Sequence, residues 1–484
     1  MLFNSLNFLI FLPVVFILYW FVVNRSLKYQ NILLLAASYF FYSCWDWRFL
    51  FLLAFSTFLD FYSGLAIHRT DNKRLRKIWL ILSVGINLGF LGIFKYYNFF
   101  SHSFGEALSQ IGINANITSL DIILPVGISF YTFHGLSYVF DIYNKRITPT
   151  TNFIEYSLFV SFFPLLVAGP IERATHLLPQ MEKPRTFRYA QAVDGLRQIL
   201  WGIFKKVVIA DGCAEYANLI FNNSSDYSGS TLILGAILFT FQIYGDFSGY
   251  SDIALGTARL FGFELLKNFN FPYFSRDIAE FWRRWHISLS TWFKDYLYIP
   301  LGGSKGGMAM RIRNTFIIFL VSGFWHGANW TFIIWGGLNA LFIMPSIIFK
   351  TNRNNIDIVA QGRTFPTLYE LWQIATTFAL TVFAWIFFRA SSVGHAWSYI
   401  TGIFSKDIFK IPFYHPELRA SITIIMLIIP FVLVEWMGRE TNYAIEKIGF
   451  NWKRPLRWSF YIFIVFLIGM YMHTEETEFI YFQF

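Results

Sequence analysis

Charge is scarce in this sequence. Only 14% of its 484 residues are Asp, Glu, Lys or Arg, against about 25% in soluble domains, which excludes an ordinary solvated surface over most of the chain. Cysteine is scarcer still. Cys44 and Cys213 are the only two, too few for a disulfide framework and without metal-ligand spacing, so no metal centre is expected. Nucleotide-binding loops are missing as well: the glycine-rich turn "LGGSKGG" at 301–307 has neither the Gly-Lys-Ser/Thr ending of a P-loop nor the GxGxxG order. Internal repeats, linkers and low-complexity tracts are absent, so residues 1–484 are expected to form a single domain. The lack of an inverted repeat also weakens a transporter reading, which polar intramembrane positions would otherwise suit.

What the sequence has is hydrocarbon and aromatic surface. Hydrophobic residues make up 55% of it, with 59 Phe, 26 Tyr and 17 Trp. Several apolar runs reach the roughly 20 residues that cross a bilayer, beginning with "LFNSLNFLIFLPVVFILYWFVV". The expected fold class is all-α, a polytopic integral membrane helical bundle of about ten or eleven spans, an estimate from window length. The first run has no Lys/Arg n-region and no small-residue cleavage site, so it reads as a retained anchor with numbering near Met1.

The formal charge of +10 lies in short loops between apolar runs, which reads as topology and not as a nucleic-acid surface. "NRSLKYQN" and "HRTDNKRLRK" are basic, whereas "SHSFGEALSQIGINANITSLD" carries no Lys or Arg. That alternation puts the N-terminus outside and the Lys73 to Lys77 loop in the cytoplasm. Trp20, Trp45, Trp47 and Trp79 fall near span ends, as interfacial anchors do.

The alternation then breaks. "NKR" at 144–146 and "EKPRTFR" at 182–188 are both basic, with only "FIEYSLFVSFFPLLVAGP" between them. A segment with both ends on one side is re-entrant or interfacial and persists only when buried in protein or lining a cavity. The apolar stretch from about Asn314 to Phe349 likewise lies between basic zones, at 264–313 and 350–363, so it either turns back within the membrane or crosses it twice.

That second stretch contains "VSGFWHGANW", residues 321–330. On one continuous helix Ser322, His326 and Asn329 would share a face, and Gly323 and Gly327 would let another backbone approach. A neutral imidazole there can take a proton from a hydroxyl; a core histidine bonded to a backbone carbonyl is the alternative. Ionisable residues at membrane depth favour the functional reading.

"FWRRWHISLSTWFKDYLYIPLGGSKGG", 281–307, mixes aromatics with His286, Arg283, Arg284, Lys294 and Lys305. It suits either a phosphate-bearing ligand or anionic headgroups. "FQIYGDFSGYSDIALG", 241–256, is polar at every second position, so it cannot turn one polar stripe away from lipid and must be enclosed. Its Asp246 and Asp252 are either a proton relay or, the favoured reading, partners of neighbouring donors. His134 and Asp141 in "LPVGISFYTFHGLSYVFDIY" read as lining or packing residues. His68, His102 and His176 fall in loops and suggest no role.

"FFPLLVAGPIER", "IYGDFSGYSDIALG", "FWRRWHISLSTWFKDYLYIPLGG", "SGFWHGANWTFIIWGGLNA" and "EFIYFQF", in this order along the chain, together resemble the membrane-bound O-acyltransferase family. The likeness is greatest to its bacterial alginate O-acetylating branch, with D-alanyl transferases more distant. The resemblance implies a multi-span bundle thinned at its centre, with re-entrant segments, in the bacterial cytoplasmic (inner) membrane. It implies His326 as the essential catalytic histidine and His286 as a second family histidine. It further implies an activated acetyl donor such as acetyl-CoA on the cytoplasmic side, hydroxyls of a secreted polysaccharide as acceptors, and esterase-like partner proteins outside. On that reading Arg283 and Arg284 are placed to meet the donor's phosphates. Asn329, or a backbone N–H freed where the glycines break the helix, would stabilise the oxyanion or orient the imidazole.

Overall fold

The computed structural model describes residues 1–113, 119–120, 122–166, 169–412, 416–472 and 479–480. Among the motifs quoted above, Val167, Ala168 and all of "EFIYFQF" except Phe479 and Ile480 lie outside the described residues. Helices are the only regular elements described, and no strand occurs among these residues. The chain packs as two compact units: Met1–Tyr189 with Ala258–Leu266, and Ala190–Thr257 with Lys267–Phe484.

Six helical segments among the described residues are long and apolar enough to cross a membrane: Arg48–Arg69, Lys73–Gln110, Gly229–Leu260, Trp330–Ile348, Leu368–Arg389 and Pro416–Met437. That is fewer than the ten or eleven apolar windows counted in the sequence. A window measures hydrophobicity and not where a helix is cut. The run Leu6–Val22 falls just short in length, and Ile128–Tyr143 is a helix of 16 residues.

In the first unit, helix starts are set by side chains that take up otherwise unbonded N–H groups. Ser5 accepts from Phe8 N, and Asn72 accepts from Arg74 N and Leu75 N. Phe3, Phe8, Phe41 and Phe163 form a continuous aromatic cluster. The segment expected to be re-entrant is two short helices, Phe153–Ser161 and Phe163–Leu166. Nine residues rise about 14 Å, less than half of a hydrocarbon core of about 30 Å, and Tyr156–Ser161 are buried throughout. His134 Nε2 accepts the Glu172 N–H at 3.1 Å and Arg146 pairs with Asp141 at 3.1 Å. Both are packing roles, as the sequence suggested.

The second unit is organised around residues 229–257 of a 32-residue helix, Gly229–Leu260. A Cβ on its Gly249 would stand 2.7 Å from the Gly202 carbonyl oxygen of the Tyr189–Phe204 helix. The backbones therefore touch, which brings the turn Lys205–Ala210 against the polar side chains of the long helix. Lys205 pairs with Asp252 at 2.6 Å, and Lys206 with Asp246 at 2.8 Å and with Asp211 at 2.9 Å. These lysines explain how a helix polar at every second position is enclosed, and they give both aspartates the bonding partners favoured for them.

Candidate active site

His326 ends the Gly307–His326 helix, and Asn329 caps the start of the next, Trp330–Ile348. The two helices form a tight hairpin. A Cβ on Gly323 would run into the Phe332 carbonyl, and one on Gly336 into the Phe319 carbonyl. Small residues at these crossings let the backbones meet, and the hairpin holds the His326 ring, 2% exposed, at its tip. Trp335 stands perpendicular to that ring at 5.0 Å, Trp325 lies at 4.9 Å and Phe388 at 5.5 Å. Trp385 stacks on Trp335 at 5.6 Å and completes the aromatic wall.

The second histidine comes from a different local device. The short helix Ile278–Arg284 is capped by Asp277, whose carboxylate accepts the Glu280 N–H. At its end the chain turns through His286, which adopts φ 43° and ψ 55°. This left-handed conformation costs a residue with a Cβ about 1–2 kcal/mol, and two backbone bonds to a neighbouring segment hold it. Asn270 N–H donates to Arg284 O and Ile287 N–H to Asn268 O, each at 2.9 Å. The turn points the His286 ring toward His326, with ring centroids 6.4 Å apart.

His286 is fixed through its Nδ1. Asn268 donates its amide N–H to Ser251 Oγ at 3.2 Å, leaving Oδ1 to accept from Ser288 Oγ and from His286 Nδ1, both at 2.9 Å. The proton therefore sits on Nδ1 and Nε2 keeps its lone pair. That Nε2 is buried and has no hydrogen-bond partner among the described residues. Burial holds the imidazole neutral, its pKa pushed down to about 3. A buried bare nitrogen beside a second imidazole is what a hydrogen-bonding substrate group would meet. Replacing Asn268 with leucine is expected to lower turnover about tenfold, one hydrogen bond's worth of ring orientation, with Asn268→Asp closer to wild type. Unchanged turnover in the leucine variant, at equal amounts of folded enzyme, would remove this orienting role.

Three residues expected to contact ligand have protein partners, and for Arg284 and Asn329 these replace the expected role. Arg283 donates to the Asn352 and Asn355 carbonyls at 2.7 and 2.6 Å. Arg284 pairs with buried Glu280 at 2.7 Å and also reaches the Asn270 and Asp357 carbonyls. Arg276 binds Glu280 from the other side at 3.1 Å. Both arginines thus fasten the 352–357 loop to the histidine turn; Arg284 does so from a buried position, with donors that face protein, whereas Arg283 is exposed and commits two of its five N–H donors. Asn329 fails for another reason. The helix does not continue past His326, because Gly327 is extended at φ −161°. The Asn329 amide accepts from Thr331 N and donates one of its two N–H groups to Ser391 O, each at 3.0 Å, so it is fixed as a helix cap and does not share a helical face with His326.

The sequence reading overlooked Asn268, Ser251 and Ser288, and only the short Ser288 spacing from His286 hinted at contact. Lys294, Lys305 and Arg283 are the exposed cations of the 281–307 motif. No cluster of three or more His, Cys, Asp or Glu suited to a metal occurs among the described residues.

Comparisons with known proteins point in one direction. A sequence model described as "MBOAT, membrane-bound O-acyltransferase family" matches residues 144–393. The chain is 39% identical over 445 residues to "Probable alginate O-acetylase AlgI" of Pseudomonas aeruginosa, covering 92% of this chain and 82% of that protein. It is 32% identical over 531 residues to "Peptidoglycan O-acetyltransferase" of Helicobacter pylori, covering 100% and 98%. With "Teichoic acid D-alanyltransferase" of Bacillus subtilis it shares 27% over 288 residues, 57% of this chain and 71% of the other.

Proposed function

Because this chain belongs to the membrane-bound O-acyltransferase family and is a multi-pass membrane enzyme of that class, we propose that it moves an acetyl group from acetyl-CoA toward hydroxyls of a secreted polysaccharide. The donor is used on the cytoplasmic side of the inner membrane, with the N-terminus outside. The observation that carries the reading is the meeting of His286 and His326, 6.4 Å apart, inside a water-poor aromatic wall.

In this scheme His326 is the general base. It takes the proton of the accepting hydroxyl as that oxygen attacks the thioester carbonyl. The tetrahedral intermediate then expels the thiolate, which receives the proton back from His326, leaving an ester and a free thiol. His286 stays neutral and offers its bare Nε2 as an acceptor, orienting the hydroxyl or the imidazolium of His326. Lys294 and Lys305, with exposed Arg283, are the charges proposed to meet the donor's phosphates, in place of Arg284.

D-alanyl transfer is the second reading within the family. The acetylating relatives align over 92% and 100% of this chain and the D-alanylating one over 57%, which favours acetyl. An esterase-like protein outside the membrane is the proposed partner that completes delivery to the polymer. The test uses everted membrane vesicles supplied with acetyl-labelled acetyl-CoA and, separately, a labelled D-alanyl thioester. Alkali-labile label on polysaccharide from acetyl-CoA alone is expected. Label only from the D-alanyl donor would replace the acetyl reading.

A further inference from the structure

Phe479 and Ile480 are the described part of a motif that the proposed chemistry does not use, yet they lie deep in the second unit, 0% and 3% exposed. Ile480 donates its backbone N–H to Asp246 Oδ2 at 2.7 Å. The same carboxylate binds Lys206 through its other oxygen at 2.8 Å, so the segment is held by a charge-assisted bond. Phe479 packs on Tyr250 at 4.6 Å and on Phe247 at 5.8 Å. Phe247 in turn stands perpendicular to the His286 ring, centroids 4.6 Å apart.

Asp246, Phe247 and Tyr250 are neighbours on one helix, and the segment grips all three. Phe479, together with Phe269 at 4.9 Å, therefore bounds the space that the Phe247 ring occupies. Phe247 limits rotation of the His286 ring from the face, as Asn268 limits it from Nδ1. Both constraints are needed, because a single hydrogen bond leaves an imidazole free to pivot about that bond.

We propose that Phe479 and Ile480 are positioning residues for His286, acting through Phe247 and Asp246, so that the two-histidine site is complete only while this segment is seated. The inference rests on the two-histidine reading of function. It predicts that loosening the segment lowers the rate per folded molecule and opens His286 to reagents.

The test compares Phe479→Ala, Ile480→Pro and Ile480→Val in the full-length enzyme. Proline removes the N–H that Asp246 accepts; valine keeps it with nearly the same volume. With acetyl-CoA as the probe, Phe479→Ala and Ile480→Pro are expected to lower kcat at least tenfold, with KM within twofold of wild type and Ile480→Val near wild type. Diethyl pyrocarbonate labelling, read at His286 by mass spectrometry, supplies a readout independent of activity. His286 should be unreactive in the wild type and in Ile480→Val, and at least fivefold more reactive in the other two. If His286 stays protected in both Phe479→Ala and Ile480→Pro, the positioning role is overturned. If the wild type makes no ester from acetyl-CoA, the functional reading fails separately, and the labelling still decides this one. Should Phe479→Ala fail to accumulate, the proline and valine pair carries the comparison.

Discussion

Replacing His326 with alanine is expected to lower acyl transfer by about 10² to 10⁴, or about 3–5 kcal/mol of barrier, the range of general base catalysis. The ring sits at the tip of a hairpin whose crossing is made by glycines and not by the imidazole, so the helices should still pair without it. Membrane abundance and polymer export should stay near wild type while ester-linked acetate on the polymer disappears. Retained acetate at matched abundance would remove His326 from the proton transfer. Loss of polymer export itself would favour a role in translocation over acyl transfer.

The largest stability effect is expected at Lys206. Its ammonium is 2% exposed, and two buried carboxylates, Asp246 and Asp211, lie within 2.9 Å. Burial opposes the charge, but the two aspartates outweigh it and raise the pKa above that of an ordinary lysine. Lys206→Met would leave those carboxylates facing each other without a counter-charge, at a cost of about 3–5 kcal/mol. The double variant Lys206→Met with Asp246→Asn should recover part of that loss. Arg48, in an exposed pair with Asp46 at 2.6 Å, serves as control, and Arg48→Met should leave stability close to wild type, because solvent screens such a pair. Thermal loss of the monodisperse species in detergent checks all three. A Lys206 variant as stable as the Arg48 one would mean that the network does not hold the long helix in place.

What could be read from the sequence was local. Apolar run length and the placement of Lys and Arg identified a helical membrane protein and the buried segment at 153–166, because each signal lies within one stretch of chain. His326 stood out because charge is rare around it, and His286 because it lies in a basic, aromatic motif. Asn268 did not, since it meets His286 across 18 positions through a turn that no periodicity announces. The Arg284 error has a plainer cause: Arg276, Glu280 and Arg284 stand at four-residue intervals, and the carboxylate between the two arginines takes up charge that looked free for a ligand. Asn329 was misplaced by extending one helix through Gly327, where the chain turns. Lys205 and Lys206 were not singled out at all, because only the touching glycines of two helices bring them inward against Asp246 and Asp252.

The left-handed turn at His286 has a consequence for how this position can drift among related chains. Glycine, asparagine and aspartate are the residues that accept such a backbone most readily. Glycine would leave nothing to reach the second imidazole, and aspartate would bury an unpaired charge. A lineage that gives up the imidazole while keeping a neutral hydrogen-bonding side chain is therefore channelled toward asparagine, whatever the codon distance.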